Sequence, residues 1–257
     1  MPVTAKPSGY TAGAATLRPN HLWMFDEGSG STLTDKGSTG GKNLTIVGAD
    51  WTTDATHGAI LDFIAANFDY AHRTETGSEP VMGITTGFTV ALILRVANTP
   101  AATEPMAAVS DVSVTNVFYQ MGVNSTGDLI VTVRNTTSFN NNNAPTALDD
   151  DAWHLAVATF GDSTQSCSVD GANYESGTLA ANINDAAIDT FAIGSRRETG
   201  STYGDVKIAA AAVWINTELN TTQQTDLWNG GDVWTAMGVT TPVASTPTMG
   251  RCIYILP

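Results

Sequence analysis

The chain is short of positive charge. Its 257 residues contain 11 Lys and Arg against 25 Asp and Glu, a formal net charge of −14, and no run of basic residues. A surface that must neutralise phosphates needs such a run, so nucleic acid and anionic membranes are poor partners. Cysteine occurs twice, at Cys167 and Cys252, too rarely for a disulfide framework or a zinc site. Both read as buried thiols, with one long-range disulfide as the alternative. No apolar stretch approaches the roughly 20 residues of a spanning helix. The opening, MPVTAKPSGYTAGAATLRPN, has no continuous apolar core of the kind a secretory signal needs, so either a signal was removed or none was used. Charged residues as a whole are only 14% of the chain, while hydrophobic residues are 42%, which excludes a disordered polyelectrolyte and leaves enough apolar surface for a large core.

Thr, Asn, Ser, Gly and Ala fill the spaces between short apolar runs, a mixture that favours strands and turns. The clearest strand is 88–96: Phe88, Val90, Leu92, Leu94 and Val96 alternate with Thr89, Ala91, Ile93 and Arg95. Leu129, Val131 and Val133 repeat the pattern against Ile130, Thr132 and Arg134, so both strands are expected to turn one face to the core and a mixed face, ending in Arg95 or Arg134, outward. Further strands are expected at 21–25, 43–48, 59–64, 67–72, 105–112, 116–123, 152–160, 164–170, 190–194 and 204–215. One helix is expected, from Asn220 to Asn229, with Asn220 as N-cap, Gln223 as its capping-box partner and Gly230 and Gly231 as the stop. Asn140 to Asn143 read as a surface loop, because Asn side chains compete with the backbone for hydrogen bonds.

Three regions follow: an extended N-terminal arm over 1–19, a β-sandwich over 20–237 and a C-terminal tail over 238–257. The tail ends in Cys252-Ile-Tyr-Ile-Leu-Pro257, which could add a strand to a neighbouring sheet or fold back on its own domain.

Five segments, in order, resemble the laminin-G-like branch of the concanavalin A-like lectin and glucanase superfamily. They are HLWMFDEGSGSTLTDKGSTGGKN, GAILDFIAANFDYAH, GFTVALILRV, DDAWHLAVATFGDSTQSCSVDG and AIGSRRETGSTYGDVKIAAAAVWINTELNTTQQTDLW, together spanning about 21–235. The fourth, a W-H…V-D-G hairpin, is the most specific. The resemblance implies an all-β, concanavalin A-like jelly-roll sandwich of two antiparallel sheets with one short C-terminal helix. In it Trp153, Trp214 and His154 would be structural.

Glycosidases of this superfamily carry two carboxylates on one strand, spaced E-x-D-x-x-E or close to it, about 5 Å apart. No Glu here has an Asp two residues later, and Glu75 and Glu79 lie in a Gly- and Pro-containing loop, so the chain is expected not to be an enzyme. The GSTGGK run at 37–42 lacks a Ser or Thr after Lys42 and a following helix, and reads as a turn and not a phosphate loop. Calcium is the candidate cofactor, with Asp26, Glu27 and Asp35 as ligands. The resemblance also subtracts: where the family's closing strand often carries two acids, this chain has Ala209 and Ala210.

Sugar binding needs an aromatic platform beside polar groups, and Arg95, Arg134, Gln120, Tyr70 and Trp51 are the candidates. The expected function is a non-enzymatic structural or adhesion protein on a virion surface, a capsid decoration or tail-associated component. Its arms would bind other subunits and its sandwich cell-surface glycans. The alternative is a secreted carbohydrate-binding module of a larger extracellular protein.

Overall fold

Alternating side chains dictate the architecture, and most strands fall close to where the alternation puts them, while Thr32–Leu33, Asp50–Asp54 and Ala172–Thr178 are strands that it did not mark. The computed structural model describes residues 2–7, 11–12, 17–75, 81–113, 117–134, 139–161, 163–178, 188–196 and 202–240. Two antiparallel sheets of eight strands each face one another. The first runs Ala172–Thr178, Thr164–Val169, His154–Phe160, Phe88–Arg95, Val206–Trp214, Gly58–Phe63 and Asp50–Asp54, with His21–Trp23 also paired to Val206–Trp214. The second runs Phe139–Ala147, Asp128–Arg134, Phe118–Val123, Glu104–Ser110, Thr190–Ile193, Tyr70–Thr74, Leu44–Val47 and Thr32–Leu33.

Phe88, Val90, Leu92 and Leu94 point between the sheets, with Tyr119, Met121, Leu129, Val131 and Phe191 opposite them. This is the main core. The other face of Phe88–Arg95 departs from expectation, because Ala91 and Ile93 are buried too. A second apolar layer covers them, built from Val3, Leu17, Leu219, Leu227, Val233, Trp234 and Met237. Small Ala209, Ala210 and Ala212 let that layer approach the sheet closely. Arg95 sits at the exposed end of this covered face.

The helix Thr221–Trp228 has the expected capping box between Asn220 and Gln223, and it ends at Asn229 in the left-handed region. A second, four-residue helix, Val233–Ala236, follows. Asn140 to Asn143 belong to an edge strand and not to a loop: each pairs in register with Ile130 to Val133. The ladder is a backbone contact, so it tolerates poor strand formers on an edge where one side of the pleat stays wet.

The N-terminal residues lie along the same body. The Thr4 amide donates to the Gly231 carbonyl at 2.9 Å, and the Trp234 indole donates to the Thr4 carbonyl at 2.9 Å. Thr11–Ala12 pairs antiparallel with Val239–Thr240, so the described parts of the two arms meet on one chain. The remainder of the tail, with Cys252, lies outside the described residues. Cys167 is buried, and burial pushes its thiol up to about 12, so it is an inert packing group.

Candidate functional site

At one end of the sandwich the loop after Phe88–Arg95 and the starts of Glu104–Ser110 and Val206–Trp214 leave a cleft of about 460 Å³. Arg95, Lys207, Asp62, Glu104, Asp205 and Ile64 are among its walls. Both cations are engaged. Arg95 makes a bidentate pair with Asp151, 2.7 Å on each arm, and reaches Asp54 at 3.6 Å. Lys207 pairs with Asp62 at 3.3 Å. Asp205 is positioned by the backbone, accepting from the Ala65 amide at 2.6 Å while its own amide donates to Glu104 at 2.9 Å. Burial raises the Glu104 carboxyl above its ordinary range, and the charge of Asp205 adds to that. The cleft is therefore acidic, with carboxylate acceptors and no unpaired cation on its described walls.

An aromatic strip continues from its lip. The turn Ala65–Asn67 starts after Ile64 and closes on Phe68, whose amide donates to the Ala65 carbonyl at 3.1 Å. Phe68 takes φ 63°, a left-handed conformation that costs a Cβ-bearing residue about 1–2 kcal/mol. The residue is 63% exposed. Tyr203 meets that ring edge-on at 5.2 Å, Tyr70 lies 6.1 Å from Tyr203, and His72 lies 5.2 Å from Tyr70. Tyr203 is held by a bridge to Ser195, and Gly204 keeps the segment tight: a Cβ there would come within 2.5 Å of the Pro105 carbonyl. Ile64 and Val47 are also exposed, and Val47 pairs directly with Tyr70. Among the described residues, three of the four exposed large hydrophobic side chains thus gather at this rim.

The expected contact residues do not form one site. Tyr70 joins the strip and Arg95 the neighbouring cleft. Gln120 and Arg134 share the outer face of the second sheet, three strands away from Tyr70 for Gln120 and four for Arg134. Gln120 is buried and accepts from Arg196 at 2.7 Å, with the Arg196 guanidinium 4.3 Å above the Phe118 ring. Arg134 stands opposite Phe118 at the strand end. Trp51 belongs to the first sheet and donates to the Gly30 carbonyl at 2.8 Å. Phe68 and Tyr203, the most telling members of the strip, have no motif of their own. Only an aromatic directly before Asp69 and Tyr70 hints at the first.

The three expected calcium ligands are occupied by protein groups. Asp35 is buried and accepts from His21 Nδ1 at 2.6 Å and from the amides of Leu22, Gly37 and Lys42 at 3.1, 2.9 and 3.0 Å. Burial would raise its carboxyl, but these bonds outweigh burial and hold it below the ordinary range. The GSTGGK turn thus wraps a carboxylate of its own chain. Asp26 pairs with Lys36 at 2.5 Å and Glu27 accepts from the Thr34 amide at 2.8 Å. Calcium would have to break these bonds. Among the described residues no group of three or more His, Cys, Asp or Glu side chains is arranged to hold a metal ion.

Glu75 and His154 are committed as well. Hydrogen bonds from Arg73, assisted by Lys42, hold Glu75 down to about 2. A carboxylate so acidic cannot serve as a proton donor near neutrality. Its expected companion Glu79 lies outside the described residues. His154 is bridged between Asp170 at 2.8 Å and Asp150 at 3.0 Å, in agreement with a structural role. His57 is buried against Trp153, and burial lowers it to about 4.

A sandwich of this topology, with its sheets, closing helix and W-H…V-D-G hairpin, defines a lectin-like class of protein. The chain belongs to the concanavalin A-like lectin/glucanases superfamily, in its laminin-G-like branch, whose family profile matches residues 68–223. Among solved structures it is similar to the binding domain of Paraclostridial Mosquitocidal Protein 1, at 9% identity and TM-score 0.62, over 83% of this chain and 52% of that one. It is also similar to the binding domain of botulinum neurotoxin DC in complex with rat synaptotagmin II, at 10% identity and TM-score 0.61, over 83% and 52%. A third is a botulinum neurotoxin type C structure, at 13% identity and TM-score 0.58, over 84% and 51%; cell entry of that toxin depends upon interaction with two ganglioside molecules. The chain spans about half the length of these structures, and at such identities they share its fold. Comparison with curated proteins finds no match.

Proposed function

We propose that the domain is a non-enzymatic adhesion module that holds a neutral glycan at the rim formed by Phe68, Tyr203, Tyr70 and the adjoining acidic cleft. One observation carries the reading: an aromatic ring kept in solvent in a strained left-handed conformation. Folding alone would favour Asn or Gly there, so the ring's worth lies in what it touches outside the chain. Sugars present C–H faces that stack on such rings and hydroxyls that donate to carboxylates such as Asp62 and Asp205. The paired state of Arg95 and Lys207 disfavours acidic sugars, which would meet Glu104, Asp205 and Asp62 without a free counter-ion. We further propose that the module belongs to a larger particle such as a virion surface, as a decoration or tail-associated protein. A chain poor in Lys suits that setting.

The test is a glycan array probed with the intact protein and with Tyr203→Ala, each with and without chelator. Binding to neutral oligosaccharides that is lost in the variant supports the proposal. Binding confined to sialylated glycans, or unchanged by the substitution, refutes the assigned site.

A further inference from the structure

The strand Val206–Trp214 is flanked on one side by two short strands in succession: Gly58–Phe63 pairs with it over Val206 to Ile208, and His21–Trp23 over Ala211 to Val213. Between them the ladder is interrupted, and on the opposite side a bulge skips Ala209. Phe25, just past the end of His21–Trp23, takes φ 51°. Four carbonyls converge on one point beside this interruption, those of Met24, Phe25, Ala59 and Ala209. The Lys6 ammonium stands at that point, 2.9, 3.0, 2.5 and 3.4 Å from them. Burial lowers Lys6 to about 8, against the pull of Asp26 and Glu27.

We propose that this carbonyl cage is a cation site in its own right, filled in cis by Lys6, and that it takes a small primary ammonium or a monovalent ion when Lys6 is removed. Converging carbonyls replace a hydration shell, which is the chemistry of a monovalent-cation seat. Around the Lys6 ammonium three of the four carbonyls stand beyond the 2.3–2.6 Å that calcium demands, so calcium would require the cage to contract. Tethering explains why the seat needs no free ion in the native chain: a group held on the N-terminal segment has an effective concentration in the millimolar range or above. The N-terminal segment is then a plug as well as a strap, since Val3 and Thr4 dock beside it.

Chemical rescue tests this. Lys6→Ala opens the seat, Lys6→Met fills it without donors, and each is melted in roughly 100 mM sodium, potassium, ammonium, methylammonium, calcium or tetramethylammonium chloride, a range suited to a weak untethered ligand. The native protein should respond to the monovalent salts alike. Lys6→Ala should melt about 5 °C lower and regain most of that loss in ammonium, methylammonium or potassium but not in tetramethylammonium, which is too large. Lys6→Met should lose as much and regain nothing. If Lys6→Ala does not fold unaided, refolding yield in ammonium against tetramethylammonium gives the same comparison. Recovery in every salt, in calcium alone, or in none would overturn the proposal.

Discussion

Replacing Phe68 by Asn should separate binding from stability. The left-handed backbone at Phe68 costs about 1–2 kcal/mol, and Asn tolerates that region more readily, so the substitution recovers part of the cost. Against this stands the edge-on contact with Tyr203, about 0.5–1.5 kcal/mol for such pairs and toward the lower end for an exposed one. The two nearly cancel. With the residue 63% exposed, and about 150–250 Å² in a whole aromatic side chain, roughly 100 Å² is available to a ligand. A sugar stacked on one face covers about half of that, and at ~25 cal/mol per Å² its loss is about 1.3 kcal/mol, or roughly tenfold in Kd. Thermal melting should therefore shift by less than about 3 °C in either direction, while calorimetric titration with an array-selected neutral oligosaccharide shows about tenfold weaker binding. A melting point lower by twice that margin would mean the ring is structural. An unchanged Kd would mean the strip is not where the ligand sits.

Three further outcomes follow from the same geometry. Burial lowers the His154 pKa, but its hydrogen bonds to Asp170 and Asp150 outweigh burial and leave it raised, so its stabilisation is complete below about pH 6.5 and declines above it; melting of native protein and His154→Gln across pH 6 to 8 should converge as pH rises. Glu75 is held down to about 2, so its contribution is present above about pH 4.5 and lost toward pH 2; with partial exposure it is worth about 1 kcal/mol, and Glu75→Gln should flatten the acid limb of the stability curve. Gly204→Ala, whose Cβ would press on the Pro105 carbonyl, should lower the melting point and, by moving Tyr203, weaken glycan binding along with it.

The main core was legible because Phe88, Val90, Leu92, Leu94 and Val96 keep one face apolar without a break, and the helix because Asn220 and Gln223 stand three apart before a Gly pair. What the alternation hid was its own exception. Leu92, Ile93 and Leu94 are apolar in succession, the mark of a strand buried on both faces, yet the covering layer comes from Val3, Leu17 and Trp234, at opposite ends of the chain. The Asn run failed as a loop because its pairing partner, and not its own propensity, decides an edge strand. Tyr70 and Arg95 could be singled out as residue types, but Phe68 and Tyr203 become neighbours only when Thr190–Ile193 and Tyr70–Thr74 pair and carry the segment after Ile193 back over the rim.

The scarcity of Lys and Arg takes on a structural meaning once their positions are known. Lys6 fills a cage of carbonyls, Lys36 and Lys42 brace Asp26 and Glu75, Arg73 joins Glu75, Arg95 clasps Asp151, and Arg196 holds Gln120. Each of these cations is committed to its own chain, just as Asp35 supplies the anion for the turn that wraps it. A ligand at the rim therefore meets carboxylates and rings while the nearby cations are already paired. If the rim is the binding site proposed above, that composition would select against phosphate and sialate by charge and leave stacking and hydroxyl donation as the sources of affinity.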